Sequence, residues 1–276
     1  MLKRILRILV LILSICSIAV IGIYVLSSPR NDRDWTEDQT ILPEVSFNEN
    51  IVTINNIRNF LYTSETEYTP QYYSKTFNLD DLETVDFIVE PLASIAVAHT
   101  FVSFGFKDGN YISISVEIRK ERGEEFSPLK GLLDQFELMY VIADERDVIR
   151  LRALHRKDQL FLYPINISKE KARELFVHMT ARAQTLTQHP EFYNTLTSPC
   201  TTNIRDHVNA ITDATLPWDM RVLFPLNSDE YAYELGLINT TLPLKEIRNF
   251  YEINSLVEVY ADDPAFSERI RERARP

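Results

Sequence analysis

Cysteine is scarce in this chain, which has two, Cys16 and Cys200, among 276 residues. Cys16 lies inside a long apolar run, so the rest of the chain holds a single thiol and no disulfide can form within it. The disulfides that often stabilise small extracytoplasmic domains are therefore excluded there, and the thiol of Cys200 is left free for chemistry.

Glycine and histidine are also scarce. None of the six glycines belongs to the Gly-x-Gly-x-x-Gly pattern that binds phosphate groups. The five histidines show no paired spacing and have one cysteine to combine with outside the apolar run, so no metal-ligand motif is present. We therefore expect neither a metal nor a cofactor.

Basic residues are outnumbered, with 29 Lys and Arg against 40 Asp and Glu and a net charge of −11. Lys3, Arg4 and Arg7 precede the apolar run, whereas every acidic residue follows it. The part of the chain that can fold is thus more acidic than the whole. This balance argues against a nucleic-acid partner and against broad electrostatic docking on anionic lipid.

The apolar run extends from Ile8 to Leu26 without a charged residue. At about 1.5 Å per residue, a helix of this length matches a hydrocarbon core of about 30 Å. A cleaved signal peptide has a shorter apolar region, and Ile15 before Cys16 does not fit a lipoprotein signal. We predict that residues 1–28 form an uncleaved anchor in the bacterial inner membrane, crossing once with a cytoplasmic N-terminus and a periplasmic C-terminal domain.

Residues 29–50 are polar and are expected to link the anchor to one domain, 51–276. Strand patterns are followed by helical ones, which predicts an α+β fold with a single, mainly antiparallel sheet and flanking helices. The turn Asp108-Gly109 predicts a hairpin between strands at 95–106 and 111–118. The other predicted strands are 51–54, 60–63, 72–77, 85–89, 138–143, 148–153 and 159–165.

A change of period after Ser168 predicts a helix that Pro190 ends. Spacing of three and four residues places a set of apolar side chains on one face of this helix. The set is Ala172, Leu175, Phe176, Met179, Ala183 and Leu186.

Cys200 is the candidate nucleophile. Ser198 is a good helix N-cap and Pro199 a good first helical residue, which predicts a helix from there to about Ile211 with Cys200 in its first turn. The positive end of the helix dipole favours a thiolate, which attacks carbonyl groups, and the free backbone N–H groups would hold an oxyanion. The alternative is a buried cysteine that only fills space.

His99 is the candidate base, because it lies in the apolar run 95–106 and must point into a core or a site wall. On a strand it shares a face with Phe101 and Ser103. The alternative is a core histidine with satisfied hydrogen bonds. The other histidines have polar neighbours or lie on helix faces and are expected at the surface: His155, His178, His189 and His207.

A third group should orient the base, and the second hairpin strand offers Ser113, Ser115 and Glu117. Glu117 is our candidate, although it begins a dense run of charges that is typical of a solvated face.

Several blocks of this sequence resemble the Lnb N-terminal periplasmic-domain family. They are the run 95–106 around His99, then Glu117-Ile118-Arg119-Lys120-Glu121, Asp144-Glu145-Arg146-Asp147 and Cys200-Thr201-Thr202-Asn203-Ile204. Tyr68-Thr69-Pro70 and the segment 266–271 also resemble it, so that the resemblance covers most of residues 34–275.

The resemblance implies a permuted papain-like domain with lipoprotein N-acyltransferase-like activity, in which Cys200 is the nucleophile and His99 the base. Phospholipid or lipoprotein would be the partner. Pro199 departs from the pattern, because we expect asparagine before the cysteine. Two alternatives stay open: a papain-like cell-wall peptidase, and a non-catalytic envelope binding module in which Cys200 is buried and inert.

Overall fold

The computed structural model describes residues 2–26, 28–92 and 97–274. Residues 1 and 27 of the expected anchor and residues 95–96 of the expected hairpin strand lie outside this range, as do the side chains of residues 2, 16, 19–21 and 23–26. Helix α1 (Leu2–Leu26) forms where a helix was predicted. Within the described residues, no helix combines the length and the hydropathy that crossing a membrane requires.

In the described part of the chain, nine strands form one sheet with the order β1-β2-β9-β8-β7-β6-β10, to which β5 adds beside β2 and β11 beside β9. Strands β3 and β4 form a separate pair. The strands are β1 (Glu44–Asn48), β2 (Ile51–Arg58), β3 (Leu61–Tyr62), β4 (Tyr68–Thr69), β5 (Tyr72–Asn78), β6 (Leu82–Leu92), β7 (Val97–Phe106), β8 (Tyr111–Arg119), β9 (Phe136–Asp144), β10 (Phe161–Pro164) and β11 (Phe192–Tyr193).

Helices cover both faces of the sheet, so the predicted α+β class with a mainly antiparallel sheet is confirmed. One core lies under α4 and α5, and a second lies on the opposite face under α3, α9 and α10. The helices after α1 are α2 (Pro128–Leu132), α3 (Glu145–Arg150), α4 (Lys169–Gln188), α5 (Cys200–Ile211), α6 (Met220–Leu223), α7 (Ser228–Glu234), α8 (Leu244–Tyr251), α9 (Asn254–Tyr260) and α10 (Phe266–Arg269).

The predicted hairpin is formed by β7 and β8. Gly109 has a φ of 74° and donates its N–H to the carbonyl of Phe106, while the N–H of Phe106 bonds to the carbonyl of Asn110. Glycine adopts this left-handed conformation at no steric cost, which is why the Asp-Gly pair predicts the turn. The hairpin forms the centre of the sheet and carries the candidate base.

Helix α4 also forms as predicted. The hydroxyl of Ser168 accepts a hydrogen bond from the N–H of Lys171, as an N-cap should. All of the predicted face is buried, and the ring of Phe176 packs against the rings of Phe77, Phe104 and Phe106. The helical period was therefore a reliable guide to the side of α4 that meets the sheet.

The predicted strand at 148–153 is wrong, because this segment is helical. Asp144 caps α3 by accepting from the N–H of Arg146, and a π-helical segment, Leu151–Arg156, continues it. Lys157 ends that segment with a φ of 62°. The β-branched pair Val148 and Ile149 suggested a strand, but the capping aspartate before them starts a helix instead.

The segment 29–50, expected to be a linker, packs against the sheet. It contains β1, which pairs with β2, and Trp35 bridges to Glu121. The Trp35 ring is buried and lies 4.2 Å from the guanidinium carbon of Arg119. Physically, this segment is part of the folded unit.

Arg271 links the C-terminal residues to the centre of the sheet. Its buried guanidinium pairs with Asp86 of β6 at 2.8 Å and with Glu145 of α3, and it stacks over the ring of Tyr111. Glu145 also accepts from the hydroxyl of Ser103 on β7. One cation thus joins α3, β6 and β7 to the end of the chain.

We expect Arg271→Met to lower the free energy of unfolding by about 3–5 kcal/mol, since removing one partner leaves buried carboxylates facing no cation. The matched control is Arg273→Met, because Arg273 is exposed and its hydrogen bond to Ser255, at 3.4 Å, is long. Denaturant unfolding of the two variants measures the difference. An equal loss in both would contradict a central role for Arg271.

Candidate functional site

The centre of the sheet opens where β7 and β8 separate. In the described chain their pairing runs from Gly105–Tyr111 to Phe101–Ser115, although β7 begins at Val97 and β8 continues to Arg119. Beyond this point β7 stays paired with β6, and β8 stays paired with β9. His99 and Glu117 lie on the two separating ends, so the opening brings polar side chains into the middle of an apolar sheet.

His99 is held by a chain of hydrogen bonds that crosses this opening. Its Nε2 lies 2.8 Å from the Ser115 hydroxyl, which donates to Oε1 of Glu117 at 2.9 Å. Because the single hydroxyl proton of Ser115 goes to the carboxylate, Ser115 must accept from the Nε2–H of His99. A neutral His99 then carries its lone pair on Nδ1, which is free to accept a proton.

Arg152 fixes the charge of Glu117. This buried guanidinium contacts Glu117 at 3.1 Å and Glu90 of β6 at 2.7 Å. Burial raises the pKa of Glu117, but the charges of Arg152 and His99 outweigh burial and lower the pKa to about 2. Glu117 is therefore an ionised acceptor at neutral pH.

Cys200 is the first residue of α5, so its placement in the first turn is confirmed. The exact cap differs from the prediction, because Pro199 occupies the N-cap position and provides no side-chain cap. The Ser198 hydroxyl instead accepts from the N–H of Asn194, which closes the preceding loop. The first α5 bond runs from the N–H of Asn203 to the carbonyl of Pro199, so the N–H groups of Cys200 and Thr201 precede the helical ladder.

Cys200 and His99 line the same cavity, and each shifts the pKa of the other. Burial raises the pKa of the Cys200 thiol, but hydrogen bonding to His99 and its charge outweigh burial and lower the pKa to about 7. Burial lowers the pKa of His99, yet hydrogen bonding to Cys200 and its charge raise it overall. Each group thus favours the charged form of the other.

Thr100 supports the thiol from the neighbouring position on β7. Its hydroxyl and backbone both contribute to the lowered pKa of Cys200. The same hydroxyl lies 2.8 Å from that of Thr201, and both residues are buried. This contact attaches the start of α5 to the sheet beside His99.

The prediction that His207 lies at the surface is wrong, since its side chain is buried under α4. Its Nε2 lies 2.6 Å from the hydroxyl of Tyr140, and its Nδ1 lies 2.6 Å from Nδ1 of His178. Tyr140 also reaches Asn203, whose amide donates to the carbonyls of Ser198 and Pro199. His207 therefore belongs to a network that fixes the entry into α5.

Of the other histidines, His178 and His189 are exposed as predicted, and His155 is half-buried. Burial lowers the pKa of His207 to about 3, so that it is neutral at physiological pH. Among the described residues, no group of three or more His, Cys, Asp or Glu side chains is arranged to hold a metal ion.

Cys200, His99 and Glu117 line a common cavity of about 390 Å³, which we call the Cys200 cavity. Glu90, Arg152 and Arg156 contribute charge on one side. Most of the remaining lining is apolar and includes Leu92, Val97, Ile118, Phe126, Leu196 and Phe224. The cavity therefore offers an apolar chamber beside a thiol with a lowered pKa.

Sequence reasoning missed Arg152, Thr100 and the bridging role of Ser115. Arg152 fell in the segment predicted as a strand, where the capping motif around Asp144 was the signal for a helix. Ser115 was a candidate and lay two residues before Glu117, so it shares that face of β8. The sequence gives no signal for Thr100, because strand parity places it on the face opposite His99.

We expect the rate of Cys200 alkylation to be half-maximal near pH 7, below the roughly 8.5 of a free thiol. Burial raises the pKa of Cys200, and His99 lowers it. His99→Ala removes the lowering effect, so the apparent pKa of the thiol should rise above that of a free thiol. His189→Ala is the matched control, because His189 is exposed and should leave the profile unchanged. Full-length protein carrying Cys16→Ser, in detergent, makes Cys200 the sole thiol.

A slow reaction that does not depend on His99 would contradict this interaction and support an inert, structural cysteine.

Comparison with known proteins gives one match. The Lnb N-terminal periplasmic domain matches residues 68–225, more than half of the chain, and this span contains His99, Ser115, Glu117, Arg152 and Cys200. A search of curated proteins found no match, and a search of solved structures found none either. Because this match covers more than half of the chain, the chain belongs to the Lnb N-terminal periplasmic domain family.

Proposed function

We propose that this protein is an envelope thiol acyltransferase or hydrolase that acts on the acyl groups of lipids or lipoproteins. One observation carries the proposal: Cys200, with its lowered thiol pKa, and His99 meet at a largely apolar cavity in the middle of the sheet. The family description supports a location in the cell envelope, where such substrates occur.

In the proposed reaction, Nδ1 of His99 takes the thiol proton and the Cys200 sulfur attacks the carbonyl carbon of an ester. The carbon–oxygen bond breaks, and His99 returns the proton to the departing alcohol. The N–H groups of Cys200 and Thr201, which precede the helical ladder of α5, would stabilise the oxyanion. Water or an amine then attacks the thioester carbonyl carbon, its proton passes to His99 and from there to the Cys200 sulfur, and the carbon–sulfur bond breaks.

Glu117 and Ser115 act through His99 in this proposal. Ionised Glu117 orients the Ser115 hydroxyl, and Ser115 in turn holds the Nε2–H of His99. This arrangement resembles the base-orienting role of the third group in hydrolase triads, with a hydroxyl between carboxylate and imidazole. It keeps the lone pair of neutral His99 on the nitrogen that faces the thiol.

The lining of the Cys200 cavity favours an acyl chain over a peptide. Leu92, Val97, Ile118, Phe126 and Phe224 give it an apolar wall, which buries methylene groups well but leaves peptide N–H and C=O groups without partners. A cell-wall peptidase would need a polar groove for its substrate. The apolar lining therefore supports an acyl-lipid substrate over a cell-wall peptide.

We further propose that the fold is a permuted papain-like one and that α1 anchors it in the inner membrane. The strand that carries His99 precedes the helix that carries Cys200, and α5 packs across β7 and β8. The uncharged run 8–26 with Lys3, Arg4 and Arg7 before it supports one crossing with a cytoplasmic N-terminus. Such a tether would hold the cavity near lipid.

We expect Cys200→Ala to lower acyl release by about a thousandfold or more while leaving the fold intact. The assay incubates full-length protein with vesicles of acyl-labelled phospholipid and a lipidated peptide, and mass spectrometry detects the acyl-Cys200 thioester and the products. Cys16→Ala is the matched control and should retain activity. Full activity in Cys200→Ala would refute the proposal, and release of peptides from cell wall without lipid turnover would favour the peptidase.

We expect Ser115→Ala to lower kcat by about 3- to 10-fold, because it removes one hydrogen bond that orients His99. Ser113→Ala is the matched control: Ser113 is also buried on β8, and its hydroxyl has no hydrogen-bond partner among the described residues. The pH profile of kcat should shift in Ser115→Ala and stay fixed in Ser113→Ala. Equal losses in both variants would show that Ser115 serves packing alone.

A further inference from the structure

A second cavity lies on the other side of the start of α5. It has a volume of about 270 Å³ and is enclosed by α4, α5, α7 and the covered face of the sheet, a space we call the α4–α5 cavity. Thr201 lines it, whereas the preceding residue, Cys200, lines the Cys200 cavity. In the same way Val222 lines the second cavity and Leu223 the first, so a thin partition separates the two.

The wall of the α4–α5 cavity is mainly apolar. Side chains of α5 such as Ile204, Val208 and Ile211 face Leu175 of α4 and Val102 of the sheet across it. A volume of this size is near the lower end of small-ligand pockets and is too small for a strand or helix of a partner protein. Its occupant must therefore be a narrow, apolar molecule or chain.

Two buried polar atoms at this cavity have no partner among the described residues. They are the hydroxyl oxygen of Ser228, a residue that is 4% exposed, and Nε of Arg205. Buried polar groups are normally hydrogen-bonded, because a buried donor or acceptor without a partner costs free energy. Both atoms can donate a hydrogen bond. An occupant that serves as their partner must therefore offer an oxygen acceptor.

Two basic residues lie at the same cavity. Arg205 and Lys171 both line the cavity; Lys171 pairs with Glu174 at 2.7 Å and Arg205 with Asp206 at 3.4 Å, so Nε is the part of the Arg205 guanidinium that is left to bind an occupant. The N-terminus of α4 opens there through Ile167 and Ser168, and the start of a helix favours negative charge. An apolar chain that ends in an anionic, oxygen-bearing group satisfies all of these features.

We propose that the α4–α5 cavity binds a fatty-acyl chain, with its oxygen-bearing end toward Ser228 and Arg205. The site is separate from the Cys200 cavity and does not depend on the proposed reaction, since binding requires no nucleophile. Either a free fatty acid or an acyl chain within a larger lipid supplies this chemistry.

The test uses full-length protein in lipid nanodiscs and a photoreactive fatty acid that carries a diazirine on its chain. After irradiation, mass spectrometry of the digested protein locates the labelled residues. We expect labels on α5 and α7, at positions such as Val208 and Tyr231, both in the unmodified protein and in Cys200→Ala. Labels confined to α1 or to the wall of the Cys200 cavity, such as Phe126 and Phe224, would overturn the proposal.

Val208→Phe fills the cavity from a half-buried position and should lower labelling about tenfold. Val259→Phe is the matched control, because Val259 is 72% exposed and lies on α9, away from the cavity. Equal labelling in the two variants would overturn the proposal. Should Val208→Phe fail to fold, Ser228→Ala replaces it, since removing a hydroxyl without a partner leaves the packing intact and should still weaken labelling.

Competition experiments distinguish a free fatty acid from an acyl chain that belongs to a larger lipid. Unlabelled palmitate should displace the probe if the ligand is a free acid, and a lysophospholipid should displace it if the chain is esterified. Glycerophosphocholine, which has the headgroup and no chain, should displace nothing. Displacement by this compound would overturn the assignment of the cavity to an acyl chain.

Discussion

The candidate site depends on one buried cation, the guanidinium of Arg152. It bridges Glu90 on β6 and Glu117 on β8, the strands on either side of β7, at the level where β7 and β8 separate. Its charge keeps Glu117 ionised in a buried position, and an ionised Glu117 gives the Ser115 proton a fixed destination. The direction of the hydrogen bond between Ser115 and His99 follows from that, and so does the position of the lone pair of neutral His99 on Nδ1.

The opening in the sheet explains how a histidine and a cysteine attached to different layers can meet. Cys200 begins a helix on one face, whereas His99 shares its face of β7 with Phe101, whose ring packs in the opposite core. If β7 and β8 were hydrogen-bonded along their whole length, their backbone would lie between the two layers. Because β7 and β8 part after Phe101 and Ser115, no ladder separates His99 from Cys200, and the two residues line one cavity.

Local patterns in the sequence predicted much of the fold and the main candidate residues. The Asp-Gly turn, the helical face of α4 and the first-turn position of Cys200 follow from steric and hydrogen-bonding rules that act within a few residues. His207 and Arg152 did not follow, because burial of His207 depends on α4 lying over it and the role of Arg152 depends on two distant strands. The separation of β7 from β8 likewise arises from pairing across the sheet, which no short segment encodes.

The link from Arg271 to Asp86 and Glu145 bears on where this domain can be cut. The span that matches the family ends at residue 225 and contains every residue of the candidate site. A protein truncated there would keep both buried carboxylates and lose the guanidinium opposite them, together with the helices α9 and α10 that cover the second core. The segment recognised by sequence similarity is therefore shorter than the unit that folds cooperatively.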